Sequence, residues 1–584
     1  MIDEGEVKIM LVIDGQTGYP SVDRPWLKYY KDVSLNVTDN YQSAWDLIYQ
    51  SNVNNRNDVA LIYYGNSITY GRLIDEVTEK IEWLKNVGIK EGSVISIISV
   101  TTPELLYLIY AANSLGAVIN MIYPGFSEQK IVSCLTEVGS EIVFVLDAVY
   151  QSVLSAINLS RSIEIVVLLS VSNSMSLGVR VLYHLASKKK IDAHSNTKKI
   201  VKYNELIHTD VKVSNSHRDE KILKNTSFIF YTGGSTGNSK AVMLGDTQIN
   251  AGVCQYAQVM KSFSRQESWL SISAMFFAYS WQTSVHMPLA MGMKCCIEMF
   301  DPEKISKKAI SKKYSHLSLN PGLWEGFISN KNVKDLSFII APASGGESLS
   351  EVLENKINKY FEERNCDWKI CQGYGMTESA GGISINYGGD VYRPRSVGIP
   401  FIQMTFSAFE PETCNELKTG EIGEICFTGP SVMLGYYNND DENRKTLKLH
   451  NDGKIWLHSG DLGYLDEDGF IFIVGRIKRM IVGSGGWKIY PAQVEEAIRK
   501  FPGVVNCAAV EKRDPNSESN RQVGVFVITD GENTEPDIEY KLKEHCKLHL
   551  TDYMQPVKYL FVKDFPKTNV GKIDYLKLEE MINK

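Results

Sequence analysis

The stretch Tyr231-Thr232-Gly233-Gly234-Ser235-Thr236-Gly237-Asn238-Ser239-Lys240 combines three glycines, four serine or threonine hydroxyls and one lysine. Glycines let backbone N–H groups turn toward an anion, hydroxyls add donors, and the ammonium supplies a compact charge, so the composition suits a polyphosphate. Apolar runs at 227–230 and 241–244 flank the loop and read as short strands. It is not a Walker A loop: Lys240 follows Gly237 by three positions rather than one, and no helix signal follows. Taken alone, the same composition fits a Gly/Ser surface turn. Elsewhere Tyr374-Gly375-Met376-Thr377-Glu378 brings an aromatic, a hydroxyl and a carboxylate together after a buried strand. Asp461, Arg476 and Lys572 each follow a glycine directly. In isolation these have plain readings too: a first-turn glutamate facing a helix dipole, a turn aspartate, a solvated lysine.

Five of these segments occur in an order that resembles the adenylate-forming superfamily of acyl-CoA synthetases, amino-acid adenylation domains and luciferases. They are the 231–240 loop, Gln372 to Glu378, Ser459-Gly460-Asp461, Gly475-Arg476 and Pro566 to Lys572, and the resemblance runs from about Trp45 to Asp574. It implies two half-reactions. A carboxylate attacks the α-phosphate of ATP, giving an acyl-adenylate and pyrophosphate, and a thiol then attacks the adenylate carbonyl. The first half brings two anions together and needs a metal and fixed positive charge.

On this resemblance Ser235, Thr236, Gly237 and Lys240 hold the β- and γ-phosphates, with Thr232 in the same nucleotide site. The loop departs from the usual YTSGSTGxPKGV at Gly233, Ser239 and Ala241, and Gly233 removes one potential donor. Tyr374 stacks on adenine beside Gly375, Thr377 contacts the α-phosphate, and Glu378 binds Mg²⁺. A carboxylate among phosphate oxygens suits such a hard cation. Gly345, Gly346 and Glu347 line the adenine pocket. Asp461, which can accept both protons of a cis-diol, and Arg476 grip the ribose. Lys572 reaches the carboxylate and α-phosphate, so Lys572, Thr377 and Glu378 form the catalytic set. Lys478 falls on the hinge, followed by Arg479 where an acid is common. Rotation about the hinge would present 484–489, where Gly485 and Gly486 let a pantetheine arm of coenzyme A pass close to the backbone.

In amino-acid adenylation domains a Phe-Asp pair binds the α-ammonium. Here Phe277 takes the aspartate's place within 274–281, leaving a buried ammonium unpartnered at a cost of several kcal/mol. Phe276, Phe277, Tyr279 and Trp281 instead read as an apolar acyl or aryl pocket, or as plain core. A medium- or long-chain fatty acid comes first and aryl acids second. The acceptor is CoA, or else the phosphopantetheine of a separate carrier protein. A catalytically silent scaffold relative is the third reading, and intact Lys240, Glu378, Asp461, Arg476 and Lys572 count against it.

The elements that must position these residues follow from length and pattern. A chain of 584 residues exceeds one core, so a large body over 1–475 and a smaller domain over 476–584 are expected. Strand runs at 94–98, 118–122, 142–146 and 165–169 alternate with helical segments such as 70–87 and the one opened by Thr102-Pro103. This is the α/β pattern of mainly parallel sheets with covering helices. Runs at 269–280, 294–300 and 337–340 continue it, 421–475 reads as a β-subdomain, and a small mobile α+β domain follows. A net charge of −7 gives no reason to expect nucleic acid. The ten cysteines show no CxxC pair and no metal-ligand spacing, as in reduced cytoplasmic thiols. The acidic N-terminus lacks the basic head of a signal peptide, and 94–123 is broken by Pro103, Glu104 and Gly116. Residues 175–191 set Leu177, Val181, Leu182 and Leu185 near Lys188-Lys189-Lys190, which reads as a solvated helix end or, at most, a peripheral membrane contact.

Overall fold

Runs such as Val94–Ile98, Ile142–Leu146 and Ile165–Leu169 are apolar without polar alternation, the mark of strands covered on both faces. All three are buried along their whole length, inside an eight-stranded sheet. The computed structural model describes residues 17–30, 43–186, 198–209, 212–213, 223–232, 239–259, 263–272, 275–298, 301, 303–388, 391–483, 487–514, 517–531, 535–568 and 572–584. In spatial order the sheet runs Gly435–Tyr436, Ala241–Leu244, Phe228–Tyr231, Val118–Met121, Val94–Ile98, Ile142–Leu146, Ile165–Leu169 and Lys199–Lys202. Pairing is parallel from Phe228–Tyr231 onward and antiparallel at the Gly435–Tyr436 edge. The glycine-rich loop therefore joins two neighbouring antiparallel strands, leaving the carboxyl end of the parallel run. That end is where open α/β sheets take ligands.

The helices begin and end where their caps dictate. Thr69 accepts a hydrogen bond from the Arg72 N–H and starts Tyr70–Val87, which Gly88 ends at φ 101°. Thr102 accepts from the Leu105 N–H, with Pro103 in the first turn of Pro103–Ser114. That helix is buried almost all round because it lies inside the body, so the apolar stretch 94–123 is strand, helix and strand.

A second sheet holds Ser268–Ser271, Lys294–Ile297, Val59–Tyr63 and Asn66–Thr69. A third holds Ser318–Leu319, Ala343–Ser344, Cys371–Met376, Gly381–Ile385 and Ile399–Pro400. Two strand expectations are corrected here. The 269–280 run is strand only to Ser271, and Ala278–Trp281 opens a helix that continues through a π-turn over Gln282–His286. The 337–340 run makes a turn, and the strand begins at Ala343. In both places burial drives the apolar character while backbone pairing happens elsewhere.

The β-subdomain pairs Thr405–Phe409, Gly423–Thr428, Ile455–Leu465 and Leu447–Leu449, with Ile471–Arg476 added on Ile455–Leu465. After it, two hydrophobic clusters contain only residues from Ile481 onward, and the clusters of the body contain none beyond Ile473. The lead-in at 23–30 packs on the body: Trp26 and Tyr30 are buried, and Tyr30 Oη donates to the Pro400 carbonyl at 2.7 Å.

Among the described residues no helix is long and apolar enough to cross a membrane. Leu177–Ala186 forms a helix on which Leu177, Val181, Leu182 and Leu185 are 58–75% exposed, while Lys188 to Lys190 lie outside the described residues. All ten cysteines are free thiols, eight of them buried.

Candidate active site

Asp461 and Arg476 come from neighbouring strands whose register sets them opposite each other. Arg476 Nε lies 2.6 Å from Asp461 Oδ1, and Tyr374 Oη donates to Asp461 Oδ2 at 2.7 Å. Gly460 turns the chain at φ 72°, and the Asp461 N–H donates to Ser459 Oγ at 3.0 Å. Burial raises the Asp461 carboxyl above its ordinary value, while Arg476 and Tyr374 oppose the rise. One wall of the site thus carries a phenol, a carboxylate and a guanidinium in mutual contact.

Glu378 sits in a single 3₁₀ turn, Thr377–Ser379, directly after the strand Cys371–Met376. Ser379 Oγ accepts from the Met376 N–H at 2.9 Å and Ala380 adopts φ 58°, so the turn is closed at both ends. Tyr436 Oη donates to Glu378 Oε1 at 2.8 Å, and the Met433 N–H donates to the Glu378 carbonyl at 2.9 Å. Among the described residues Oε2 receives no hydrogen bond, which leaves one carboxylate oxygen available to a hard cation such as Mg²⁺.

The two ends of the glycine-rich loop are clamped to each other. The Thr232 N–H donates to the Lys240 carbonyl at 3.0 Å, and the Lys240 N–H donates to Thr232 Oγ1 at 3.0 Å. Ser235, Thr236 and Gly237 lie outside the described residues. Lys240 Nζ stands 4.2 Å from the centre of the Tyr436 ring and 3.0 Å from Glu442 Oε2. Lys445 and then Lys240 hold the Glu442 carboxyl down to about 2. Tyr436 thus separates Lys240 from Glu378 while touching both.

Gly345 and Gly346 follow the strand Ala343–Ser344, which pairs with Cys371–Gln372 and so brings them beside the Tyr374 segment. A Cβ at Gly345 would fall 2.7 Å from Tyr279 Oη, so glycine is required there for close packing. Tyr279 Oη in turn shares a hydrogen bond with Ser318 Oγ at 2.7 Å. Lys572 Nζ donates to the Gly346 carbonyl at 3.2 Å, and Glu347 and Gly375 are exposed. Lys572 sits at the base of a loop closed by its carbonyl, which accepts from the Thr568 N–H at 2.7 Å. Its side chain is exposed as a whole. Desolvation of the ammonium nevertheless pulls its pKa below the ordinary lysine value, opposed by Glu347 and Asp461 and reinforced by Arg476.

The aromatic stretch divides into two layers. Phe276 and Phe277 pack on Tyr123 with ring centres 4.8 and 6.0 Å away. Through Phe126 this row reaches Tyr231, at the foot of the glycine-rich loop. Trp281 is fully buried behind them among Tyr110, Phe228 and His286. It is core, and any pocket meets it only as a floor.

Lys478 is exposed in the 3₁₀ turn Ile477–Arg479. Arg479 is anchored instead: it pairs with buried Glu495 at 2.6 Å, donates to the Ala509 carbonyl at 3.1 Å and lies 3.5 Å over the Tyr575 ring. Gly485 and Gly486 lie outside the described residues. Sequence reasoning missed Tyr436, Glu442 and Tyr123. Tyr436 follows Gly435 on a two-residue edge strand, and that dipeptide was the one available signal.

Two substitutions test the wall and the spacer. Asp461→Asn removes the charge shared with Arg476 and Tyr374. Hydrogen bonds to charged groups contribute about 1.5–3 kcal/mol, so ATP affinity by calorimetric titration falls by roughly ten- to a hundredfold. Tyr436→Phe keeps the ring under Lys240 but frees Glu378, and it lowers ATP–pyrophosphate exchange by a similar factor with little change in the melting temperature.

The AMP-binding enzyme model matches residues 49–437, and the model of the AMP-binding enzyme C-terminal domain matches residues 493–572. A long-chain-fatty-acid–CoA ligase of Bacillus subtilis (strain 168) is 25% identical, covering 94% of this chain and 96% of its own. The enzyme of the same name from Escherichia coli O157:H7 is 24% identical with the same coverage. Among solved structures, the anthranilate CoA ligase AuaEII in complex with anthranoyl-AMP superposes with a TM-score of 0.77 at 19% identity, covering 94% of this chain and 99% of that one. The two matched regions, their order and the site between them show that the chain belongs to the AMP-binding enzyme family, as an AMP-forming acid–thiol ligase of the adenylate-forming superfamily.

Proposed function

We propose that this protein activates a medium- or long-chain fatty acid with ATP and transfers the acyl group to CoA. The observation that carries the reading is the meeting of Lys572 with the Gly346 carbonyl, beside the wall formed by Tyr374, Asp461 and Arg476. A lysine from the C-terminal domain there reaches a nucleotide whose adenine lies along 345–347 and whose ribose faces Asp461. Lys240, released from Glu442, holds the terminal phosphates. Lys572 neutralises charge building on the α-phosphate as the carboxylate attacks and pyrophosphate leaves. Glu378 would hold Mg²⁺, which supplies further charge neutralisation between the phosphates. The thiolate of CoA then displaces AMP after rotation at Lys478.

The acyl preference rests on the row Tyr123, Phe276 and Phe277, with Tyr279 closing toward Gly345. Phe277 stands where an α-ammonium would need a carboxylate. The two bacterial relatives named for long-chain fatty acids align over nearly their whole length and support the same class. The setting we propose is the cytoplasm, with any membrane contact peripheral and through the exposed face of Leu177–Ala186.

Mass spectrometry of products from purified protein, ATP, Mg²⁺ and a panel of fatty and aryl acids, with and without CoA, tests the reading. Fatty acyl-CoA forming only when CoA is present is the expected result. Acyl-AMP accumulating regardless of CoA would identify a carrier-protein acceptor, and aryl products alone would overturn the fatty-acid assignment. A second prediction follows from Lys572. Its lowered pKa means that the ammonium is lost as pH rises through a value below that of ordinary lysine. Adenylation therefore fails early on the alkaline side, and Lys572→Arg, which stays charged, moves that limb of the ATP–pyrophosphate exchange profile upward while lowering its maximum.

A further inference from the structure

The β-subdomain holds a second group of ligating side chains, apart from the nucleotide site. His450 directly follows the strand Leu447–Leu449, His458 lies on Ile455–Leu465, and Cys414 lies in the connection between Thr405–Phe409 and Gly423–Thr428. Their ligating atoms all fall within 4.8 Å of one another. The two imidazoles are buried and face each other Nε2 to Nε2 at 3.0 Å, while Cys414 is half-buried.

The surroundings set the protonation needed for a metal. Glu424 Oε2 lies 2.8 Å from His458 Nδ1, so Nδ1 carries the proton and donates it to the carboxylate. The lone pair of His458 Nε2 then points at His450 and Cys414. A carboxylate behind a histidine is the usual outer partner of a metal-bound imidazole, fixing both tautomer and ring orientation. His450 is itself held between aromatic rings, with Trp456 stacked at 5.5 Å and Phe409 edge-on at 4.7 Å. Zinc–nitrogen bonds of about 2.0–2.1 Å at a tetrahedral angle set two nitrogens roughly 3.3 Å apart, close to the spacing seen. One thiolate and two imidazoles select a borderline-soft ion over Mg²⁺ or Ca²⁺.

We propose that Cys414, His450 and His458 form a Zn²⁺ site in the β-subdomain, oriented by Glu424. Cys414 loses its thiol proton to solvent on binding, both histidines ligate as neutral imidazoles through Nε2, and the fourth position is open to water. The ion ties together three chain segments that also meet through sheet pairing, the paired imidazoles and the rings of Phe409 and Trp456. Glu424 Oε1 also accepts from the Gly460 N–H at 2.9 Å, so the site is hydrogen-bonded to the turn that carries Asp461. The site stands apart from the assignment of the acid and the thiol, and the Co²⁺ titration that reads it uses neither.

Full-length protein stripped with a chelator and titrated with Co²⁺ gives the readout. The expected result is one equivalent bound, with visible d–d bands and a thiolate-to-cobalt charge-transfer band, all displaced by Zn²⁺. Cys414→Ser, on a half-exposed loop, removes the charge-transfer band. Glu424→Gln weakens binding about ten- to a hundredfold. His450→Gln abolishes stoichiometric binding while ATP–pyrophosphate exchange with Mg²⁺ persists. No Co²⁺ uptake by the wild-type chain would overturn the proposal and leave a simple imidazole–imidazole hydrogen bond. A charge-transfer band that survives Cys414→Ser would equally overturn it.

Discussion

The proposed reading has one site hold both a polyphosphate and a divalent cation, which takes a lysine and a glutamate close together, yet those two would neutralise each other if they met. Here a single phenol keeps them apart. Tyr436 offers its ring to Lys240 Nζ at 4.2 Å and its hydroxyl to Glu378 Oε1 at 2.8 Å. A cation over an aromatic face gains roughly 0.5–2 kcal/mol, enough to park the ammonium without committing it to the carboxylate. Glu442 holds the same ammonium at its other side, so Lys240 has a polar partner that an anion can replace.

Much of the surrounding fold serves that spacing. Gly435–Tyr436 is the edge strand of the eight-stranded sheet, pairing with Val242 and Met243, and so is fixed relative to the glycine-rich loop just upstream. Two residues before it, the Met433 N–H reaches the Glu378 carbonyl and ties the 3₁₀ turn of the third sheet to the edge of the first. The wall of Tyr374, Asp461 and Arg476 is set by a different device, a strand pair whose register opposes Asp461 to Arg476. The C-terminal domain enters through Lys572 and through Lys500, which pairs with Glu351 at 2.8 Å.

Arg479 anchors the chain just after the β-subdomain. A guanidinium there finds Glu495, itself buried between Arg479 and Arg499. The pair lies within the segment from Arg479 onward, and the adjoining Lys478 is exposed.

The sequence alone determined the elements with strong local signals. The helix at about 70–87 was legible from the spacing of Leu73, Val77, Ile81 and Leu84 and from Gly88, and the buried strands from uninterrupted apolar runs. Glu378, Asp461, Arg476 and Lys572 stood out as candidates because each lies beside a glycine or turn that reads locally. What only the tertiary structure decided is which side chains meet. Tyr436, the Cys414–His450–His458 group and the two-layer split of Phe276, Phe277 and Trp281 depend on strand register and sheet packing between segments far apart in the chain. Spacing arithmetic on the ten cysteines sees no metal pattern, because the ligands sit on three different strands or loops and approach only when the sheet forms. Local propensity acts over a few residues, whereas such encounters are set by pairing and burial across the whole body.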